Sequence, residues 1–190
     1  MKPRRLGKRA AAWASCALAL AACAHGEQHD TSGAAASATV AATAVPLASS
    51  WCRTVPLEKA FCSTLVLSTP KTTLRLAVAD TDPRREHGLM GVRSVPPHEG
   101  MLFSFPDGDA GHEFWMKDTV TPLDMIFVRS DGTVTVVAAH VPATKPGTPD
   151  DRIERRRGTG KYVIELAAGG AAKAGLDEGV RLTIPDVPAQ

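Results

Sequence analysis

An aromatic side chain with charged neighbours is the first place in the sequence where binding chemistry can be concentrated. Successive side chains of a strand point to opposite faces, which places Trp115 between Glu113 and Lys117 on one face of a predicted strand. Phe114 and Met116 share the other face, which we predict to be core. A ring bordered by charged hydrogen-bonding groups is suited to binding sugars, so Trp115 is a candidate ligand contact.

Two carboxylates and an arginine can complete a polar site beside this ring. Asp118 and Asp124 follow the strand of Trp115, and Pro122 keeps the chain between them extended. Arg85, near the start of a predicted helix, can supply the balancing charge. Paired carboxylates can perform acid–base chemistry, although an Asp after a strand more often caps backbone amides or pairs with an arginine. We predict a shallow polar cleft lined by Arg85, Trp115, Asp118 and Asp124 and assign no catalytic residue.

A cluster of methionines with interleaved histidines offers a metal-based alternative. Thioethers and imidazoles are suitable ligands for Cu(I), and His112 with Met116 is the pair we consider for it. Each methionine sits beside large apolar residues, however, as expected of side chains that fill gaps in a core. Core packing is therefore the favoured interpretation, and no cofactor is predicted. The residues are Met90, Met101, Met116, Met125, His87, His98 and His112.

The elements that position these side chains are mostly short strands. Alternating apolar and polar residues, with turn signals such as Ser130-Asp131-Gly132, indicate a mainly β (β-rich α+β) fold. We expect one compact barrel- or sandwich-like domain of seven to eight short strands with two short helices. The predicted strands are 64–68, 73–79, 101–105, 112–117, 123–129, 133–139, 162–166 and 180–184, and the predicted helices are 82–90 and 168–174.

The segment 141–160 has no hydrophobic periodicity and is rich in proline, glycine and charge. Loops of this length are usually functional or disordered. Trp115 can pack beneath this segment instead of meeting a ligand. Its three arginines, 155–157, lie beside acidic residues and indicate either a solvated loop or a contact with anionic envelope polymers.

The N-terminus predicts export and lipid anchoring. Residues 1–22 combine a basic start, a short apolar run and small residues, as in a lipoprotein signal peptide. Leu20-Ala21-Ala22-Cys23 resembles the bacterial lipobox, in which Cys23 is acylated, although an ordinary signal peptide containing a cysteine is the alternative. Ala24 after the cysteine favours the outer membrane, so we expect a lipoprotein anchored on the periplasmic side.

Removal of the signal changes the charge and leaves a tether. The five cations of residues 1–22 are lost, so the mature chain carries 17 basic and 20 acidic residues. This mildly acidic balance excludes a nucleic-acid footprint. Residues 23–50 form the lipidated cysteine and a flexible tether of small residues, and the folded domain is expected at residues 51–190.

Two cysteines remain in the mature domain. The periplasm permits disulfides, and Cys52 and Cys62 are a candidate structural pair. Free thiols are the alternative, and the spacing gives little support to a redox motif because it is not C-x-x-C.

Five motifs then occur in a fixed order. They are Gly88-Leu89-Met90 preceded by Arg85, Gly100-Met101-Leu102-Phe103, Phe114-Trp115-Met116-Lys117, Pro122-Leu123-Asp124, and Tyr162-Val163-Ile164-Glu165-Leu166. Together they resemble the DUF192 family of small bacterial and archaeal domains, over roughly residues 73–184. The resemblance implies a single β-rich domain, often exported, and implies no activity. Asp118 stands where the family usually has asparagine.

The leading functional hypothesis is a non-enzymatic binding or accessory module of the cell envelope, with a glycan or a protein as partner. A periplasmic copper-handling protein that uses methionine and histidine is the alternative. An enzyme is the third possibility, because the sequence has no G-x-S-x-G, H-E-x-x-H or phosphate-loop motif.

Overall fold

The computed structural model describes residues 63–187 and residue 189. Within them the chain forms eight strands, two short α-helices and a 3-10 helix at Asp150–Arg152. The strands are β1 (Thr64–Ser68), β2 (Thr73–Ala79), β3 (Glu99–Ser104), β4 (Ala110–Trp115), β5 (Leu123–Val128), β6 (Val134–Val141), β7 (Arg155–Gly160) and β8 (Tyr162–Ala167), and the helices are α1 (Asp82–His87) and α2 (Gly170–Ala174). The predicted signal peptide, Cys23, the tether and the Cys52–Cys62 pair lie outside the described residues.

The strands form two sheets that do not close into a barrel. The larger sheet has the order β1-β2-β3-β8-β5-β6, and β4 and β7 form the smaller one. The β2–β3 pair is parallel and the others are antiparallel. The mainly β fold class is therefore confirmed. No helix among the described residues is long and apolar enough to span a membrane.

The larger sheet carries an apolar cluster on each face. Every residue of β5 is buried, because alternate side chains enter opposite clusters. Met125 and Phe127 join the cluster beneath β4 and β7, whereas Ile126 and Val128 join the cluster that includes α2 residues. β5 therefore contributes side chains to the apolar cluster between the two sheets.

The inner face of the smaller sheet packs onto the apolar cluster that contains Met125 and Phe127. The ring of Phe114 lies 4.9 Å from the ring of Phe103 and 5.9 Å from that of Phe127, both edge-on. Gly158 of β7 allows the close approach, because a Cβ at this position would overlap the Phe127 ring. The side chains of Glu113 and Trp115 consequently remain on the outer face, as the strand alternation predicts.

Two predicted elements are wrong. The stretch 155–160, interpreted above as loop, is strand β7, and its arginines and glycines hide it because they show no apolar alternation. The predicted strand 180–184 makes, within the described residues, one isolated bridge between Thr133 and Arg181. This stretch lies beside the β5–β6 turn for a few residues and then reaches Pro185, which has no N–H group to continue a β-ladder.

Candidate functional site

The outer face of the smaller sheet brings together an aromatic ring and several charges. Trp115 of β4 lies directly opposite Arg155 of β7. The guanidinium carbon of Arg155 is 5.0 Å from the Trp115 ring centroid, and the Nζ atom of Lys117 is 5.1 Å from it. Such cation–π contacts contribute about 0.5–1 kcal/mol each at exposed sites. The ring is partly buried, so its inner edge packs on the core while cations border it.

Ion pairs fix the positions of these charges. Glu113 accepts a hydrogen bond of 2.8 Å from Nη1 of Arg155 and another from Arg157. The bonds from Arg157 and from Arg155 lower the pKa of Glu113 below its ordinary value. Lys117 pairs with Asp150 at 2.6 Å. We call the set Glu113, Trp115, Lys117, Arg155 and Arg157 the β4–β7 face.

A shallow, open depression continues from this face toward the start of β4. It is lined by Gly111, His112, Glu113, Arg157, Gly158 and Thr159. The Nε2 atom of His112 lies 3.0 Å from the carbonyl oxygen of Gly160, so this ring is oriented by the β7 backbone. This depression and the β4–β7 face therefore share Glu113 and Arg157.

Arg85 has a different environment from Trp115. Its Nη1 donates to the carbonyl oxygen of Ser104 at 2.7 Å, and its Nη2 donates to Asp82 at 2.6 Å. The guanidinium also lies 5.5 Å from the Phe105 ring centroid, and only 8% of the side chain is exposed. These contacts join α1 to the end of β3. A ligand-binding role for Arg85 stays a prediction.

The two aspartates of the predicted cleft differ in burial. Asp124 is 0% exposed, and its carboxylate accepts backbone N–H bonds from His140 at 2.8 Å and from Ala171 at 2.9 Å. Asp118 is exposed at φ 48°, a left-handed conformation that Asp and Asn tolerate best among residues with a Cβ. The predicted cleft therefore cannot include Asp124, because its carboxylate is turned inward to hold α2.

Comparison with known proteins identifies the domain. The profile of DUF192, an uncharacterized group, matches residues 65–184. The chain belongs to the DUF192 family. The resemblance drawn from the motifs is thus confirmed, and the match begins earlier in the chain than the motifs suggested.

Two solved structures are similar to this DUF192 chain. A protein from Sinorhizobium meliloti 1021, provisionally described as a transcription regulator, is 34% identical with a TM-score of 0.51, and the match covers 62% of this chain and 89% of that one. A protein of unknown function from Novosphingobium aromaticivorans DSM 12444 is 25% identical with a TM-score of 0.52, covering 64% and 84%. No curated protein matches the chain.

One buried acid of the DUF192 domain was not predicted as a site residue from the sequence. Glu165 of β8 lies between Met101 of β3 and Met125 of β5 in the sheet register. Only 5% of the residue is exposed, and burial raises the pKa of its carboxyl to about 8. A charged residue in the middle of the apolar run 162–166 was the available signal. Perturbed acids are candidates for function as well as for structure.

Three of the four methionines of the domain lie in its core, and Met90 is partly buried. Met101, Met116 and Met125 are at most 1% exposed and belong to the cluster beneath the smaller sheet. This is the packing role that the sequence favoured. Across the described part of the chain, His, Cys, Asp and Glu side chains form no group of three or more able to hold a metal ion.

Proposed function

We propose that this DUF192 protein is a cell-envelope lipoprotein whose domain is a non-enzymatic binding module, with an anionic glycan as its ligand at the β4–β7 face. The lipobox at Cys23 and the tether that follows it support the location, since they predict a domain held near a membrane on the periplasmic side. A protein partner is the other occupant that the same face can accept.

The observation that carries the proposal is the arrangement of charges around Trp115. Lys117 and Arg155 lie over the ring, and the side chain of Arg157 beside them is 81% exposed. Three cations face two acids, Glu113 and Asp150, so the face retains positive charge. The exposed guanidinium donors can bind a carboxylate or phosphate of the polymer, and a sugar ring of the same polymer can pack beside the indole and its two cations.

The alternatives have less support from these contacts. The description of the Sinorhizobium meliloti relative as a transcription regulator would imply a nucleic acid, whereas the predicted export and acidic mature chain favour an envelope ligand. A copper-handling role would require the thioethers to be reached, and three of the four are in the core. Duplex DNA is therefore best used as a control ligand.

The first test compares two exposed arginines. Arg157→Gln removes a cation of the β4–β7 face, and Arg181→Gln removes one that is 70% exposed and paired with Asp131 elsewhere. We expect Arg157→Gln to weaken binding of a uronate oligosaccharide about tenfold, because one charge-assisted hydrogen bond is lost. Arg181→Gln should leave it unchanged. The measurement is titration calorimetry on the chain carrying Cys23→Ser.

The control ligands show which class of ligand the β4–β7 face binds. A neutral glucan of equal length should bind much more weakly than the uronate, and duplex DNA should not discriminate between the two variants. Equal loss in both variants would contradict a specific site, since it would indicate attraction by net charge alone. Absence of binding to every glycan tested would contradict a glycan ligand.

The second test concerns the anchor. Cys23→Ser should abolish incorporation of a radiolabelled fatty acid and release the protein from the membrane fraction, because the thiol is the acceptor in a lipobox. Stable attachment needs more than one acyl chain, at about 0.8 kcal/mol per buried CH₂. Cys16→Ser, within the predicted signal, is the matched control and should be labelled normally. A wild-type chain that takes up no label would refute the lipobox.

A further inference from the structure

A small cavity lies at a different place from the β4–β7 face. Its volume is about 100 Å³, and it lies between the start of β2, the segment before β3, the end of β8, and α2. Its wall is mainly apolar and includes Leu74, Val95, Pro96, Leu166, Ala167 and Ala174. Apolar walls with a few polar groups are typical of small-molecule sites, and the volume of this cavity restricts it to a very small ligand.

Two charged residues, Glu99 and Lys173, line this cavity, and Glu99 is the one that can accept a hydrogen bond. Its Oε2 atom is buried, and within residues 63–187 it has no hydrogen-bond partner. Arg75 lies opposite Glu99 in the β2–β3 register, yet its Nε atom is also buried without a partner. The ion pairs found among the described residues do not join these two side chains. A buried carboxyl oxygen left in this state calls for a donor from outside the described residues.

The rim of the cavity is held in an uncommon conformation. His98 has φ 63°, which is rare for a residue with a Cβ. The Nδ1 atom of His98 lies 3.1 Å from Oγ1 of Thr72, and its carbonyl oxygen accepts the N–H of Arg75 at 2.8 Å. Both His98 and Thr72 line the cavity. Backbone strain of this kind concentrates at ligand-binding positions.

We infer that this cavity binds a small primary ammonium compound. Its ammonium donates to Oε2 of Glu99, and its short apolar chain lies against Leu74, Leu166 and Ala174. A cavity of about 150 Å³ holds benzene, so this one accommodates roughly four carbon atoms. The site is independent of the proposed glycan site, because none of the residues of the β4–β7 face lines it.

The test uses n-butylammonium as the probe. It is titrated into the chain carrying Cys23→Ser, and binding is monitored by two-dimensional NMR. Saturable shifts are expected for backbone amides of the cavity wall, with a dissociation constant of about 1 mM for so small a ligand. Glu99→Gln keeps the shape and should weaken binding at least tenfold. Glu86→Gln, an exposed glutamate of α1, is the matched control and should bind as wild type does.

Two further probes, one neutral and one of opposite charge, make the test independent of how the Glu99→Gln variant folds. On the wild-type chain, 1-butanol should bind at least tenfold more weakly than n-butylammonium, and butyrate should not bind. Equal affinity for the alcohol and the ammonium would overturn the role of Glu99. No shift with any probe would show that only a water occupies the cavity, and the inference would then be wrong. Uronate binding at the β4–β7 face should be the same for Glu99→Gln and wild type.

Discussion

Asp124→Ala should lower the free energy of unfolding by about 2–4 kcal/mol, because it leaves one buried and one partly buried backbone N–H group without their acceptor. The N–H groups belong to His140, at the end of β6, and to Ala171, in the first turn of α2. Loss of the carboxylate therefore loosens two elements at once. Urea unfolding followed by circular dichroism measures the change.

An exposed aspartate provides the matched control. Asp131 also accepts a backbone N–H, that of Thr133 at 2.9 Å, but it is solvent-exposed. Asp131→Ala should cost no more than about 1 kcal/mol, since water replaces the lost acceptor. Similar losses for Asp124→Ala and Asp131→Ala would mean that burial of the Asp124 carboxylate contributes little.

Glu165→Gln should make the protein more stable at alkaline pH and remove much of its pH dependence. Burial raises the pKa of Glu165 from its ordinary value of 4.5 to about 8, so the folded state retains a proton that the unfolded chain loses. The contribution of protonated Glu165 to stability is therefore fully present below pH 4.5 and is lost as the pH rises through about 8. The full effect is on the order of 5 kcal/mol, and glutamine avoids it because it does not ionise.

Denaturant unfolding of both proteins between pH 4 and pH 9 measures this effect. The difference between them isolates Glu165, because other titrating groups contribute equally to both. Wild type and Glu165→Gln should be similarly stable at the acid end and should diverge as the pH rises. Glu86→Gln should follow wild type throughout, since Glu86 is exposed. Parallel curves for wild type and Glu165→Gln would contradict a neutral, buried Glu165.

The regular strands of this fold could be predicted from local sequence, whereas its least regular strand could not. β5 is apolar except for Asp124 and leads to a Ser-Asp-Gly turn, and both features are local. β7 is stabilised by pairing with β4 and by the fit of Gly158 against Phe127, and both are contacts between distant parts of the chain. Its arginine-rich sequence alone therefore indicated a loop.

The candidate site was predictable to a similar degree. Strand alternation placed Trp115 on the outer face of β4, but its neighbour Arg155 comes from the strand that was missed. Proximity in sequence misplaced Asp124, because the alternation of β5 turns this side chain inward toward α2. Glu165 was visible as a charge within an apolar strand, but its pKa depends on how completely the surrounding sheets exclude water.

The most direct test of the binding proposal uses the fluorescence of Trp115. The mature chain has two tryptophans, so Trp51→Phe leaves Trp115 as the sole indole reporter. Titration of this variant with a uronate oligosaccharide should give a saturable change in emission, with the affinity reduced about tenfold by Arg157→Gln and unchanged by Arg181→Gln. Calorimetric binding of the oligosaccharide without a change in Trp115 emission would contradict a ligand site on the β4–β7 face.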